Sequence, residues 1–283
     1  MAAVRVACVQ MRSGRDPAVN LERCEALVRE AAARGARYVQ TPEMSNLLER
    51  SREDLHAKIA PEAADPFLAR MRAVAKDLAV TVHIGSLAIR RADGAVANRA
   101  FVIAPDGGIA ARYDKIHMFD VDLPNGESWR ESATYTPGTE AVLVEAEGLR
   151  IGLAICYDVR FPHLFRRYAS AGADVVTAPA AFTRQTGEAH WHVLQRARAI
   201  ENGAWVVTAA QGGRHEDGRE TYGHSLVVDP WGRVVAEAAG DESGVVVADV
   251  DPAESAAARG RIPSLVNERP FELPSPVRLA QAG

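Results

Sequence analysis

Apolar and polar positions along the chain switch between two periods, and the switches predict its elements. Residues 4–9, Val-Arg-Val-Ala-Cys-Val, are rich in β-branched and small apolar side chains and predict a first strand. Pro17–Ala33 carries Leu21, Ala26, Leu27 and Ala31 at helical spacing, with Gly35 as the stop. Arg37–Gln40 predicts a short strand that must end at Thr41-Pro42-Glu43-Met44, since proline cannot donate to a central ladder. A helix over Pro66–Leu78 precedes a strand over Val80–Ile89, with Gly85 inside it. Asn98–Ala104 and Ile109–Tyr113 flank Pro105-Asp106-Gly107-Gly108, a hairpin signal. Residues 120–139 show little periodicity and predict a loop, ordered by Trp129 and Tyr135. Ala141–Glu145 and Leu149–Ile155 form a second hairpin.

Pro162–Ala171 then predicts a helix, Asp174–Ala178 a strand, residues 187–202 a longer helix and Trp205–Ala210 another strand. Tyr222–Val228 and Arg233–Glu237 bracket the turn Asp229-Pro230-Trp231-Gly232, and Val245–Val250 is the last strand. Trp191 and Trp205 are assigned to the core. The pattern is that of a layered α/β domain, with a mixed sheet or two sheets and helices outside. No linker or repeat divides it, so residues 1–283 are expected to form one domain. Within it, residues 251–283 supply a C-terminal helix and an extended arm containing Pro263, Pro270, Pro274 and Pro276.

Composition narrows the function classes. Hydrophobic residues at 47% and charged residues at 25% are an ordinary globular balance. The formal net charge of −4 offers nothing to nucleic acid or to an anionic membrane surface. No apolar run approaches the ~20 residues that span a bilayer, and the N-terminus lacks the basic and apolar regions of a signal peptide. Three cysteines, Cys8, Cys24 and Cys156, predict reduced thiols and the cytoplasm.

Candidate chemistry gathers at strand ends. The apolar run 151–155 drives into Cys156, followed by a polar turn and by Pro162, which suits the first turn of a helix. Glu43 and Lys115 also stand just past predicted strands, and strands of one sheet can bring their ends together. A thiolate there could attack an amide or nitrile carbon, with Lys115 and the backbone N–H of Tyr157 facing the oxyanion. Glu43 would carry the proton, and neither metal nor organic cofactor is needed. Nearby ammonium and carboxylate groups are expected to favour the thiolate. A buried cysteine acting as a small hydrophobe is the plain alternative. Other signals are weak: Gly223-His224-Ser225-Leu226-Val227 lacks the second glycine of a serine elbow, and no phosphate-binding glycine loop is present. His190 and His192 point to different faces of one helix, so that pair does not suggest a zinc site.

Thr41-Pro42-Glu43, Asp114-Lys115-Ile116-His117 and Cys156-Tyr157-Asp158-Val159-Arg160-Phe161-Pro162 together resemble the signature of the nitrilase superfamily of carbon–nitrogen hydrolases. Within it, His117-Met118-Phe119-Asp120, Arg130-Glu131-Ser132, residues 187–191 and residues 209–225 resemble the Nit branch of amidases. The resemblance implies a four-layer α-β-β-α sandwich and assembly into a homodimer or higher homo-oligomer. It implies Cys156 as nucleophile, Glu43 as general base, Lys115 as oxyanion partner and Glu131 as the second glutamate, with Glu127 a competitor for the last role. It also implies a small carboxylate-bearing amide as substrate, cleaved to acid and ammonia: deaminated glutathione first, α-ketoglutaramate second. A nitrilase, a carbamoyl-amine hydrolase or a catalytically idle dimeric scaffold are the alternatives. Arg160 could pair with a substrate carboxylate or brace the turn with Asp158. Phe182, Thr186, Tyr222 and His224 are candidates for the substrate pocket. Gly212 and the loop at 120–130 depart from the branch and leave the exact amide open.

Overall fold

A computed structural model of the protein describes residues 2–124 and 126–273. Met1, Asn125 and residues 274–283, with Pro274 and Pro276 of the expected arm, lie outside the described residues.

In chain order the elements are β1 (Val4–Gln10), α1 (Pro17–Ala33), β2 (Tyr38–Gln40), α2 (Arg52–Lys58), α3 (Pro66–Leu78), β3 (Thr81–Arg90), β4 (Val96–Ile103), β5 (Ile109–Asp114), β6 (Asp120–Asp122) and β7 (Ser128–Arg130). There follow β8 (Val142–Ala146), β9 (Leu149–Leu153), α4 (Pro162–Ser170), β10 (Val175–Thr177), α5 (Arg184–Asn202), β11 (Trp205–Thr208), β12 (Gly212–Arg214), β13 (Glu220–Tyr222), β14 (Leu226–Val228), β15 (Val234–Glu237), β16 (Gly244–Val250) and α6 (Pro252–Arg261). The helix starts carry local signals. Asp16 accepts from the Ala18 N–H ahead of Pro17, and Asp65 accepts from the Leu68 N–H ahead of Pro66.

Two six-stranded sheets form the middle of the molecule, in the orders β16-β1-β2-β3-β4-β5 and β15-β14-β11-β10-β9-β8. Alternation along β1 shows how they stack. Ala7 and Val9 join Cys24 and Val28 of α1 and Phe67 and Met71 of α3 in one apolar cluster. Val6 and Cys8, on the other face, join Ile151, Val176 and Val207 of the second sheet. That second cluster continues through Phe165 of α4 and Trp191 of α5, so the layers run helix, sheet, sheet, helix. Trp191 and Trp205 are both buried. Two glutamines tie the sheets together: Gln40 accepts from the Ala209 N–H (2.7 Å) and Gln10 from the Ser225 N–H (2.8 Å).

The core strands of each sheet are parallel: β1, β2 and β3 in the first, β9, β10 and β11 in the second. Their carboxyl ends lead to Thr41–Glu43, Cys156 and Pro179–Ala181, where open parallel sheets place ligands. Gly85 permits the approach: a Cβ there would stand 2.1 Å from the Thr41 carbonyl and 2.6 Å from Pro179.

Several elements differ from the pattern reading. Helix α2 has no counterpart in it. The expected loop at 120–139 contains the β6–β7 hairpin, held by Arg130 on Asp122 (2.9 Å to both oxygens) and by Ser132 on Asp120, polar pairs that leave no apolar period. The expected strand 222–228 is broken at Gly223 and His224, both at positive φ (73° and 56°), which divides β13 from β14. Helix α5 starts at Arg184 rather than Gly187, and β9 stops at Leu153 rather than Ile155. After α6, residues 262–273 run without helix or strand, mostly exposed. Among the described residues no helix is long and apolar enough to cross a membrane.

Candidate active site

Glu43, Lys115, Glu131 and Cys156 line one cavity of about 290 Å³. Each arrives by a different route. Glu43 follows β2 through the strand-breaking Pro42. Lys115 directly follows β5; its N–H donates to the Asn98 carbonyl (2.9 Å) and its carbonyl accepts from the Gly138 N–H (2.8 Å). Gly138 is required for that contact, since a Cβ would lie 2.3 Å from the Asp114 carbonyl. Glu131 opens a single 3-10 turn after β7.

Cys156 begins a second 3-10 turn, Cys156–Arg160, between β9 and α4. Its φ of +49° puts a non-glycine residue in the left-handed region, a conformation that costs roughly 1–3 kcal/mol and persists only where its surroundings enforce it. Asp158, fully buried, supplies much of that enforcement. It accepts from the Ile155 N–H (2.8 Å) and Tyr113 hydroxyl (2.7 Å) on one oxygen, and from the His117 N–H (3.0 Å) on the other, where His117 Nδ1 also lies at 2.6 Å. The Cys156 N–H donates to the Pro179 carbonyl (2.9 Å). Tyr157 stands in the first turn of the 3-10 helix, where backbone N–H groups lack intrahelical acceptors.

The Lys115 ammonium has three protons and three close carboxylate oxygens: Glu43 Oε1 (2.9 Å), Glu131 Oε1 (3.0 Å) and Glu131 Oε2 (2.8 Å). Backbone groups complete the carboxylates, with the Ala181 N–H on Glu43 Oε2 (2.7 Å) and the Phe119 N–H on Glu131 Oε2 (2.7 Å). Asn98 bridges both acids, its Nδ2 donating to Glu43 (2.9 Å) and Glu131 (3.1 Å). Asn98 was missed in the pattern reading. Its signal is an amide beside Arg99 inside the β4 strand, whose other residues are apolar.

Burial pushes the Glu43 carboxyl up, but the Lys115 charge and hydrogen bonds from Lys115, Ala181 and Cys156 outweigh it and hold the group below the ordinary glutamate value. Burial likewise pushes the Lys115 ammonium down, and the charges of Glu131 and Glu43 outweigh it, raising Lys115 well above the ordinary lysine value. Cys156 goes the other way from expectation. Burial and the Glu43 charge raise the thiol well above its ordinary value, more than Lys115 lowers it. The resting site is therefore a neutral thiol beside an ionised carboxylate and an ammonium, and the expectation that both neighbours favour the thiolate is corrected: only Lys115 does.

Phe182 and Thr186 line the same cavity, while Arg160 and Tyr222 are not in its lining. Arg160 lies against the Phe182 and Tyr157 rings (5.2 and 5.9 Å) and contacts His190 Nδ1 at 3.3 Å; the turn is braced by Asp158 with Tyr113 and His117 instead. Tyr222 stacks on His224 (4.3 Å between ring centroids), whose Nδ1 lies 2.7 Å from Glu237; His192 reaches the same carboxylate from α5 at 2.7 Å. Glu127, the alternative to Glu131, accepts from Trp129 Nε1 (3.2 Å) in the β6–β7 hairpin.

Comparison with known proteins supplies independent identification. Residues 5–260 match the Carbon-nitrogen hydrolase family. The chain is 40% identical over 265 residues to the deaminated glutathione amidase of Synechocystis sp. (strain PCC 6803 / GT-S), covering 92% of this chain and 96% of that protein. It is 36% identical over 273 residues to the omega-amidase NIT2 of Homo sapiens, covering 95% and 96%. The C. elegans NitFhit protein superposes with a TM-score of 0.89 at 33% identity over 95% of this chain, which spans 66% of the length of that longer protein. A mutant amidase from Nesterenkonia sp. AN1, with the acetamide moiety of fluoroacetamide on its active-site cysteine, superposes with a TM-score of 0.79 at 26% identity, covering 95% of this chain and 94% of that one. The chain is a member of the carbon–nitrogen hydrolase family, within the nitrilase superfamily, and a cysteine-dependent amidase.

Proposed function

We propose that this amidase hydrolyses a small carboxylate-bearing amide through a Cys156 thioester, with deaminated glutathione as the preferred substrate class. The observation that carries the mechanism is Lys115 held between Glu43 and Glu131 at 2.8–3.0 Å, beside Cys156 in one cavity. Glu43 accepts the thiol proton as sulfur bonds to the amide carbon, and the carbonyl electrons collect on oxygen. The Tyr157 N–H and the Lys115 charge stabilise that oxygen. At rest all three Lys115 protons face carboxylate oxygens; protonating Glu43 weakens its hold and frees one for the oxyanion. The carbonyl re-forms as the C–N bond breaks, and Glu43 passes its proton to the leaving nitrogen. Glu43 then takes a proton from water as it attacks the thioester, releasing acid and restoring the thiol. Glu131 and Asn98 act as positioning residues for Lys115 and Glu43.

The Synechocystis relative supports deaminated glutathione, and the human omega-amidase supports a short ω-amide as second reading. Cys156→Ala is expected to abolish product release from both while leaving the fold intact; unchanged turnover would remove the mechanism. A side-by-side kcat/KM on deaminated glutathione and α-ketoglutaramate separates the two substrates.

We also propose that the chain acts as one cytoplasmic domain in a homo-oligomer. Three unpaired cysteines suit a reducing compartment. Exposed Val193 and Ile200 on α5, and exposed Trp231 and Val235 on the β14–β15 hairpin whose Gly232 abuts Ile200, support a self-association face.

A further inference from the structure

The same cavity that holds Glu43, Lys115 and Cys156 is lined at another part of its wall by Arg50, Trp129 and Arg219. Both guanidiniums lie against the Trp129 ring, 4.5 and 4.6 Å from its centroid, which fixes two cations on one indole. Neither is neutralised tightly. Arg219 is largely buried (side chain 18% exposed) and its Nε has no hydrogen-bond partner; it forms an ion pair with the buried Asp217 carboxylate at 3.6 Å, too long for a hydrogen bond. Arg50 is exposed and, among the described residues, enters no ion pair. The cavity's carboxylates are already engaged: Glu43 and Glu131 by Lys115, and Glu49 by Arg15 and Lys58.

A buried guanidinium N–H without an acceptor is costly, and a planar fork of donors matches a carboxylate or a phosphate; of the two, the amide substrates read for this site carry the carboxylate. The position sets which carboxylate. From Tyr157, next to the nucleophile, the rings step to Phe119 (5.2 Å) and on to Trp129 (6.4 Å). The path from the Tyr157 ring to the Arg50 guanidinium is thus at most ~16 Å, within reach of an extended peptide of up to five residues at ~3.4 Å per residue. Arg160, the sequence-based candidate for this role, sits outside the lining and is occupied by Phe182 and His190.

We infer that Arg50 and Arg219, mounted on Trp129, form a carboxylate subsite that selects amides whose leaving amine is peptide-like and ends in a free carboxylate. The inference rests on the amidase reading above and extends it from the reacting bond to the far end of the substrate. A short primary ω-amide loses only ammonia, so it has no carboxylate on its leaving side to engage this subsite.

The test is a matched set of three substrates: a keto-acid ω-amide linked to a dipeptide with a free terminal carboxylate, the same compound with that carboxylate as a neutral carboxamide, and the unsubstituted primary ω-amide. The wild-type chain is expected to favour the acid over its carboxamide by ~10-fold or more in kcat/KM, mainly through KM. Arg50→Gln and Arg219→Gln should each cut that preference severalfold, and both together should erase it. Turnover of the carboxamide and the primary amide should stay within about twofold. A preference that survives both substitutions, or an equal loss on all three substrates, would overturn the subsite. Arg50 is exposed, so its variant remains informative if Arg219→Gln fails to fold. If the wild-type chain hydrolyses none of the three, the amidase reading fails separately. The subsite is then judged by calorimetric binding to Cys156→Ala, where the acid must bind ~10-fold tighter than its carboxamide, and equal affinities overturn it.

Discussion

Cys8 and Cys156 are both buried thiols, and burial pushes both up, Cys8 to about 12. Cys8 lies in extended β1 between the two sheets, and its thiol faces the Leu226 carbonyl at 3.8 Å. Cys156 lies at a corner with φ +49°, opens onto a cavity and feels the Glu43 charge beside it. The difference is not acidity. Neither sulfur is a thiolate at rest, and what distinguishes Cys156 is an ionised carboxylate beside it, an ammonium paired with that carboxylate, and a cavity. Reactivity here is a property of the neighbourhood, assembled from the ends of strands in both sheets.

The comparison can be broken most severely at Glu43. Glu43→Gln keeps the shape and removes the base, and amide turnover is expected to fall ~10³-fold, the scale of a positioned general base. A steady-state assay that finds less than tenfold loss would make Cys156 no better served than Cys8. Lys115→Met comes next. It leaves Glu43 and Glu131 buried without their cation, so kcat should fall ~10²-fold, and thermal unfolding should show a loss of about 3–5 kcal/mol.

The pH profile sharpens the same contrast. Glu43 titrates below the ordinary 4.5, so its ionised form, and the stability it contributes, are present above that value and lost as pH falls through its folded-state pKa. Lys115 titrates above the ordinary 10.5, so its contribution is complete below that value and lost as pH rises through its folded-state pKa. The expected kcat/KM profile is flat across neutrality with both limbs outside 4.5–10.5, and a limb near neutral pH would contradict these assignments. The smallest effect belongs to the other thiol: Cys8→Ala should cost about 1 kcal/mol in denaturant unfolding and leave turnover unchanged within about twofold.

Much of this arrangement was legible before any coordinates. The β-branched runs, the proline after Thr41 and the cysteine at a strand-to-helix corner mark local events that leave local signals. Asn98 was not legible, because a single amide in a strand looks like an interruption until its two carboxylate partners arrive from elsewhere in the chain. The β6–β7 hairpin was hidden for a related reason: ion pairs such as Arg130 with Asp122 hold it, and those have no hydrophobic period. The direction of the Cys156 shift was misjudged because burial was not weighed and the Glu43 charge opposes the thiolate rather than favouring it. Arg160 follows the nucleophile in sequence yet is not in the cavity lining, since adjacency along the chain is not adjacency to the cavity.

The most direct measurement is acyl trapping. Glu43→Gln is treated with an activated ester of the substrate acyl group, whose leaving group needs no proton, at alkaline pH where hydroxide takes the thiol proton in place of Glu43; the variant still lacks the base for thioester hydrolysis. Peptide mass mapping is expected to find one acyl group per chain, on Cys156, persisting while the wild-type protein clears it. An unlabelled Cys156, a label on Cys8 or Cys24, or clearance by Glu43→Gln at the wild-type rate would contradict a thioester cycle run by Glu43.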